Sequence, residues 1–140
     1  SGPSIGVRET RRIIGEYVLT EEDILSARKF PDAVCKANYP IDIHNPLGEG
    51  TTIKYPPKND YYEIPYRCLI PKLVDNLLIT GRCISATHEA LAATRIMPTC
   101  IGLGQAAGVA AALSAKLGIP PRKLDIDLLR YTLKEQGAIL

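Results

Sequence analysis

The rhythm of hydrophobic and polar positions changes near Pro71. Before it, Ile5–Thr10 and Arg12–Leu19 alternate as strands do, with Gly15 at a bulge. Thr20-Glu21-Glu22-Asp23 then opens a short helix. Thr20 is a good N-cap, and the three acids sit at the positive end of the helix dipole. That helix is expected to reach Lys29 and to stop before Pro31. Asp32–Asn38 reads as another strand, and YPIDIHNPLGEGT, rich in Pro and Gly, reads as loop. YYEIPYRCLI, Tyr61–Ile70, reads as a strand that Pro65 confines to an edge or a bulge.

After Pro71 the segments lengthen. Asn76–Thr80 is a short apolar run ending at Gly81, the pattern of a parallel strand covered on both faces. Ala86–Ala93 predicts a helical turn or two. A long helix starts around Pro98, whose missing N–H is harmless in a first turn. It runs to Leu117 and ends at Gly118, with Pro120 and Pro121 beyond. Asp125 or Asp127 caps a last helix with Ile126, Leu129 and Leu133 on its apolar side. Strand, turn and long helix form the tail of a βα unit. The fold class is therefore α/β, or α+β for the piece in isolation, divided into residues 1–70 and 71–140.

The charge balance narrows the partners. Seventeen basic and fifteen acidic residues are well mixed and leave a net charge of +2. That gives no electrostatic footprint for nucleic acid or an anionic membrane. No apolar run approaches the roughly 18–20 residues that span a bilayer. The start, SGPSIGVRE, lacks the basic and apolar parts of a signal peptide, so a cytoplasmic protein is expected. Met97 is the sole methionine, and the chain reads as a piece of something longer. Cys35, Cys68, Cys83 and Cys100 include no Cys-x-x-Cys pair, so they read as reduced thiols, with no metal site expected.

The chemistry concentrates between Leu77 and Leu113, in LLITGRCISATHEALAATRIMPTCIGLGQAAGVAAAL. Gly102, Gly104 and Gly108, with Ala106 and Ala107, strip side chains from a helix in which each Gly costs about 0.5–1 kcal/mol relative to Ala. Either the helix packs closely on a neighbouring element, or its N-terminus faces a flat or anionic ligand. Arg82, Cys83, His88, Glu89 and Arg95 follow the strand end, where open α/β sheets bind ligands. Each has a duller reading. His88 can be a structural histidine, Glu89 a solvated acid, and Arg82 or Arg95 its partner. No Gly-x-Ser-x-Gly elbow supports a hydrolase. GLGQAAG, Gly102–Gly108, lies inside a helix pattern and is not the dinucleotide turn.

Four motifs in order carry a resemblance: GRCIS (81–85), ATHEAL (86–91), R-x-MPTC (95–100) and GQAAG (104–108). Upstream, GVRETRRIIGEYVLTEEDIL, YPIDIHNP and YYEIPYRCLIPK add to it. Together they resemble the C-terminal segment of bacterial FAD-dependent oxidoreductases with the glutathione-reductase-type fold. The resemblance implies FAD as cofactor. It implies that Gly81 and Arg82 contact the ribityl or pyrophosphate part, and that Met97, Pro98 and Thr99 face the flavin O2 edge. Many relatives carry an acid where Arg82 stands. Residues 1–70 would end a β-rich substrate domain, and residues 71–140 would supply the last strand and helices of a Rossmann-like FAD domain. The Gly-x-Gly-x-x-Gly segment that holds the ADP half is missing, which implies a C-terminal fragment. The implied activity is hydride transfer between a small-molecule substrate and flavin. His44, Arg67, His88 and Arg95 are the substrate-side candidates, as donors or a proton relay. The implied partners are that substrate and the remainder of the FAD domain. The apolar strand 76–80 and helix 98–117 also predict self-association. The alternative is a stand-alone α+β binding or assembly module that packs through its Gly/Ala helix.

Overall fold

The computed structural model describes residues 7–44, 48 and 50–140. The elements in chain order are α1 (Glu21–Leu25), β1 (Ala33–Ala37), β2 (Ile41–His44), β3 (Thr51–Lys54), β4 (Tyr62–Pro65), α2 (His88–Thr94), α3 (Met97–Leu117) and α4 (Ile126–Glu135). Two antiparallel pairs, β1–β4 and β2–β3, make the sheets, and the class is α+β.

Local chemistry sets the ends of the helices. Thr20 Oγ1 accepts the Asp23 N–H at 3.3 Å, and Asp23 Oδ2 accepts the Thr20 N–H at 2.9 Å. This reciprocal cap starts α1. The helix stops at Leu25, short of the expected Lys29, because Ala27 turns to φ 51°. α3 begins with Met97 and Pro98 and ends where Gly118 adopts φ 66°. Asp125 Oδ1 accepts the N–H groups of Asp127 and Leu128 and starts α4, whose Leu129 and Leu133 are buried.

One hydrophobic core draws on both sides of Pro71. Leu19, Ile24, Ile41, Tyr62, Ile64, Leu69, Ile84, Leu91, Leu103, Leu129 and Leu133 are all fully or nearly fully buried in it. α3 contributes Leu103, Ala106 and Ala110, while its other face leaves Ile101, Gly104, Gly108, Ala111 and Ala115 exposed.

Several expectations are corrected. Arg12–Leu19 is not a strand. It threads between other segments and makes single bridges, Gly15 to Pro71 and Leu19 to Ala86. Gly15 is required by crowding rather than by a bulge, because a Cβ there would lie 2.9 Å from the Arg67 carbonyl oxygen and 2.9 Å from Ser85 Cβ. Of Ile5–Thr10, residues 5 and 6 lie outside the described residues, and residues 7–10 are irregular. YPIDIHNPLGEGT is not all loop. Ile41–His44 pairs with Thr51–Lys54, Ile41 opposite Lys54 and His44 opposite Thr51. The short Ile41/Ile43 alternation outweighs the flanking Pro and Gly; residues 45–47 and 49 of this stretch lie outside the described residues.

The run Tyr61–Ile70 stays extended only over Tyr62–Pro65. Pro65 brings no donor to the ladder, and the chain tightens into a 3₁₀ turn at Tyr66–Leu69. Asn76–Thr80 is not a strand either. Asn76 sits at φ 55°, Leu77 is 44% exposed and Leu73 is 92% exposed. Among the described residues no strand lies alongside to complete a ladder, and the Ile79 N–H bonds the Leu69 carbonyl instead. Finally, α3 is long and apolar enough by length and composition to cross a membrane. Its run of Gly and Ala counts as apolar once the whole helix is taken together.

Candidate functional site

The loop between Ile70 and α2 delivers its polar residues through a second 3₁₀ turn, Gly81–Cys83. Gly81 makes the corner at φ 74°, a left-handed conformation that Gly adopts without strain. The chain then re-enters the core at Ile84 and forms α2 behind Thr87, whose Oγ1 accepts the Ala90 N–H. Arg95 closes α2, Ile96 turns the chain, and α3 starts. Arg82 and Arg95 are thus presented beside the first turn of α3.

The hairpin supplies the other wall. An open cleft of about 640 Å³ is lined by Arg8, Tyr39, Asp42, His44, Arg82, Ala92, Arg95, Ile96, Met97 and Pro98. Arg95 Nη2 donates to the Asp42 carbonyl at 2.9 Å and ties α2 to the hairpin. Arg82 spans the floor. Its Nη1 donates to the Val7 carbonyl at 3.0 Å, and its Nε reaches the Arg95 carbonyl at 3.5 Å. Tyr39 donates its hydroxyl to Asp42 Oδ2 at 3.3 Å. His44 Nε2 lies 3.5 Å from Asp42 Oδ1, a buried oxygen that receives no hydrogen bond.

The electrostatics of this cleft are unbalanced. Elsewhere among the described residues, Arg12, Arg28, Arg67 and Arg122 each face a carboxylate. Arg82 and Arg95 donate only to carbonyls, and the cleft has Asp42 as its carboxylate against Arg8, Arg82 and Arg95. Burial first, then the charge of Arg8, pull the Arg95 guanidinium below its ordinary value; Asp42 opposes this and Arg82 adds to it. The α3 N-terminus adds its own partial positive charge, because the Ile96 N-cap has no side-chain acceptor for the free N–H groups.

The candidate residues separate by place. His44, Arg82, Arg95, Met97 and Pro98 meet in the cleft. Thr99 is buried in the first turn of α3, and Gly81 makes the corner beside Arg82. His88 lies outside the cleft lining, with Nδ1 2.7 Å from Glu9 Oε2. Arg67 is elsewhere, in a two-pronged pair with Asp32 at 2.9 and 3.1 Å. Arg8, Tyr39 and Asp42 were not singled out from the sequence. The Tyr39, Asp42, His44 series had a signal in its alternation; Arg8 had none. Cys100 is partly buried and its thiol is raised by that burial, whereas Cys83 is exposed. No group of His, Cys, Asp or Glu suited to a metal ion occurs among the described residues.

A donor-rich, acceptor-poor rim at a helix start suits an electron-rich edge, such as the N1–C2=O2 side of a flavin ring. The GLGQAAG stretch lies wholly within α3 and offers no loop for a pyrophosphate. The residues present therefore fit the flavin end of FAD and not its ADP half.

A family model described as FAD dependent oxidoreductase matches residues 1–133, and the chain belongs to that family. No match to the chain was found among curated proteins or among solved structures.

Proposed function

We propose that this chain forms the flavin-ring and substrate side of an FAD-dependent oxidoreductase of the bacterial, glutathione-reductase-like kind. The carrying observation is the cleft that joins an uncapped helix start to Arg82 and Arg95 in a chain of this family. In this reading residues 1–70 belong to a substrate domain and residues 71–140 to the FAD domain. The ADP half is held by a segment outside these 140 residues. Met97, Pro98 and Thr99 line the pyrimidine edge, Met97 and Thr99 offering backbone N–H donors at the positive end of the helix dipole, and Gly81 and Arg82 hold the ribityl side. FAD supplies a ring that exchanges hydride with a small-molecule substrate. Arg95 orients that substrate, and His44, backed by Asp42, holds or gives a proton. His88 and Arg67, engaged with Glu9 and Asp32, are the comparison positions. The family match favours this reading over a free-standing assembly module.

The test is a titration of the isotope-labelled chain with flavin mononucleotide, with ribose 5-phosphate as control, followed by amide resonances. Shifts at Met97, Thr99 and Arg82 with the flavin and not with the sugar phosphate are expected. Binding is expected to be weak, because only part of FAD finds contacts here. Silence at those three amides overturns the reading.

A further inference from the structure

The positive cleft has a consequence for the substrate. Arg8 comes from the start of the chain, Arg82 and Arg95 from the stretch that leads into α3, and the three converge on one opening. Like charges brought together cost free energy unless something negative lies among them. Four other arginines in the fold have that partner built in. Here, among the described residues, the cleft lining supplies Asp42 as its one carboxylate, and Tyr39 and His44 already flank it. One negative charge against three positive ones leaves the opening short of anions.

We propose that the cleft is a carboxylate-binding subsite and that the substrate is a small organic carboxylate, held by Arg8 and Arg95. The anion site stands on the arginines; that the anion is a substrate rests on the flavin reading above. A guanidinium is planar and meets a carboxylate with two parallel N–H···O bonds, which fixes orientation as well as position. Arg8 is exposed and lines the opening. Arg95 has donors beyond the one given to the Asp42 carbonyl, and its position is fixed by that bond. His44, half-exposed on the same rim, stands where a carbon next to the carboxylate exchanges its proton. The cofactor's own phosphates are the competing anion. They are less suited to this place, because they need successive backbone N–H groups from a Gly-rich turn, and α3 offers only a helix start.

The experiment uses the 140-residue chain, amide resonances, and four probes at matched ionic strength: malonate, its neutral diamide, pyrophosphate and flavin mononucleotide. Malonate is expected to shift the amides of Tyr39, Asp42, His44, Arg82 and Arg95 saturably, and the diamide to shift none of them. Arg8→Gln and Arg95→Gln should each weaken malonate about tenfold or more, the loss expected for one charge-assisted pair. Lys134→Gln, exposed on α4, should change it less than about twofold, the scale of long-range screening. Arg8 is exposed, so circular dichroism of Arg8→Gln should match that of the parent chain. Diamide binding equal to malonate overturns the proposal. So does an undiminished malonate affinity in Arg8→Gln. Pyrophosphate binding about tenfold tighter than malonate at the same amides also overturns it and gives the site to the cofactor's phosphates. Malonate binding without any flavin response supports the carboxylate site and removes only the flavin reading. A flavin response without malonate binding does the reverse.

Discussion

The outer face of α3 gives the sharpest quantitative test of how the Gly residues act. A Cβ built at Gly104 or Gly108 meets nothing within 4 Å, whereas one at Gly102 lies 3.1 Å from Cys35 Sγ. Gly104→Ala and Gly108→Ala should therefore gain the full helix-propensity difference, about 0.5–1 kcal/mol each. The two sites are one turn apart and share no buried neighbour, so the double variant should gain about 1–2 kcal/mol by near-additivity. For a chain of this size about 1 kcal/mol moves Tm by about 4 °C, which puts the double variant up by about 4–8 °C. Gly102→Ala should gain almost nothing. The same propensity term is there offset by the tight contact with Cys35, which is held in β1 and has little room to yield. Thermal unfolding followed by circular dichroism at the helix band measures all of these on one footing. A drop in Tm for Gly104→Ala would refute the argument, because it would mean that something in solution already lies against that face.

Other outcomes follow from single features of the fold. The exposed apolar residues Leu73 and Leu77 should make the chain self-associate; a clean monomer in sedimentation equilibrium at high micromolar concentration would contradict this. Asp23 is buried and accepts from Tyr17, Thr20 and Arg28, so Asp23→Asn should cost about 2–3 kcal/mol in urea unfolding, the penalty for breaking charged buried hydrogen bonds; a loss well under 1 kcal/mol, about the worth of one neutral bond, would show the network to be dispensable. Burial raises the Cys35 thiol to about 11 and Cys68 to about 12 from 9.0, so both stay neutral in the fold. Their contribution is full below pH 9 and lost as pH rises through 11, and a urea midpoint flat from about pH 8 to pH 11 would argue against it. Alkylation by iodoacetamide at neutral pH should mark Cys83 first, Cys100 more slowly, and Cys35 and Cys68 only after unfolding, read by mass spectrometry.

What the sequence disclosed depended on whether the signal was local. α3 was legible at both ends because Pro98 and Gly118 are local conformational signals, and α4 because Asp125 precedes a clear 3.6-residue pattern. The hairpin was hidden, since Ile41 and Ile43 alternate over only four residues between prolines and glycines. Asn76–Thr80 misled for the opposite reason. Its apolar run is real, but a strand needs a neighbour, and three apolar residues in a row do not say whether one is present. In the site, Arg82, Arg95, Met97 and Pro98 were visible together because the chain crowds them within one stretch. Asp42 and Arg8 join them only through tertiary structure, and the hairpin that carries Asp42 was the element read as loop.

The same contrast supports the proposal that the cleft is the functional site. In the rest of the fold, the buried carboxylates are answered from within. Asp23 has its three donors, Glu63 accepts the Phe30 N–H, and Asp32 holds Arg67 in a fork. Such pairs are self-sufficient and leave nothing for a ligand to do. Around Arg95 positive charge is in excess and the helix start adds to it, while the buried Asp42 Oδ1 receives no hydrogen bond. A local imbalance of one sign, facing an opening and set on a rigid helix, is what a fold shows where a charged ligand completes it. Asp42 fits that account as well. Its carbonyl anchors Arg95, its carboxylate stands beside Tyr39 and His44, and both contacts depend on the short β2–β3 hairpin. The hairpin therefore acts as the part that sets the geometry of the charged cleft.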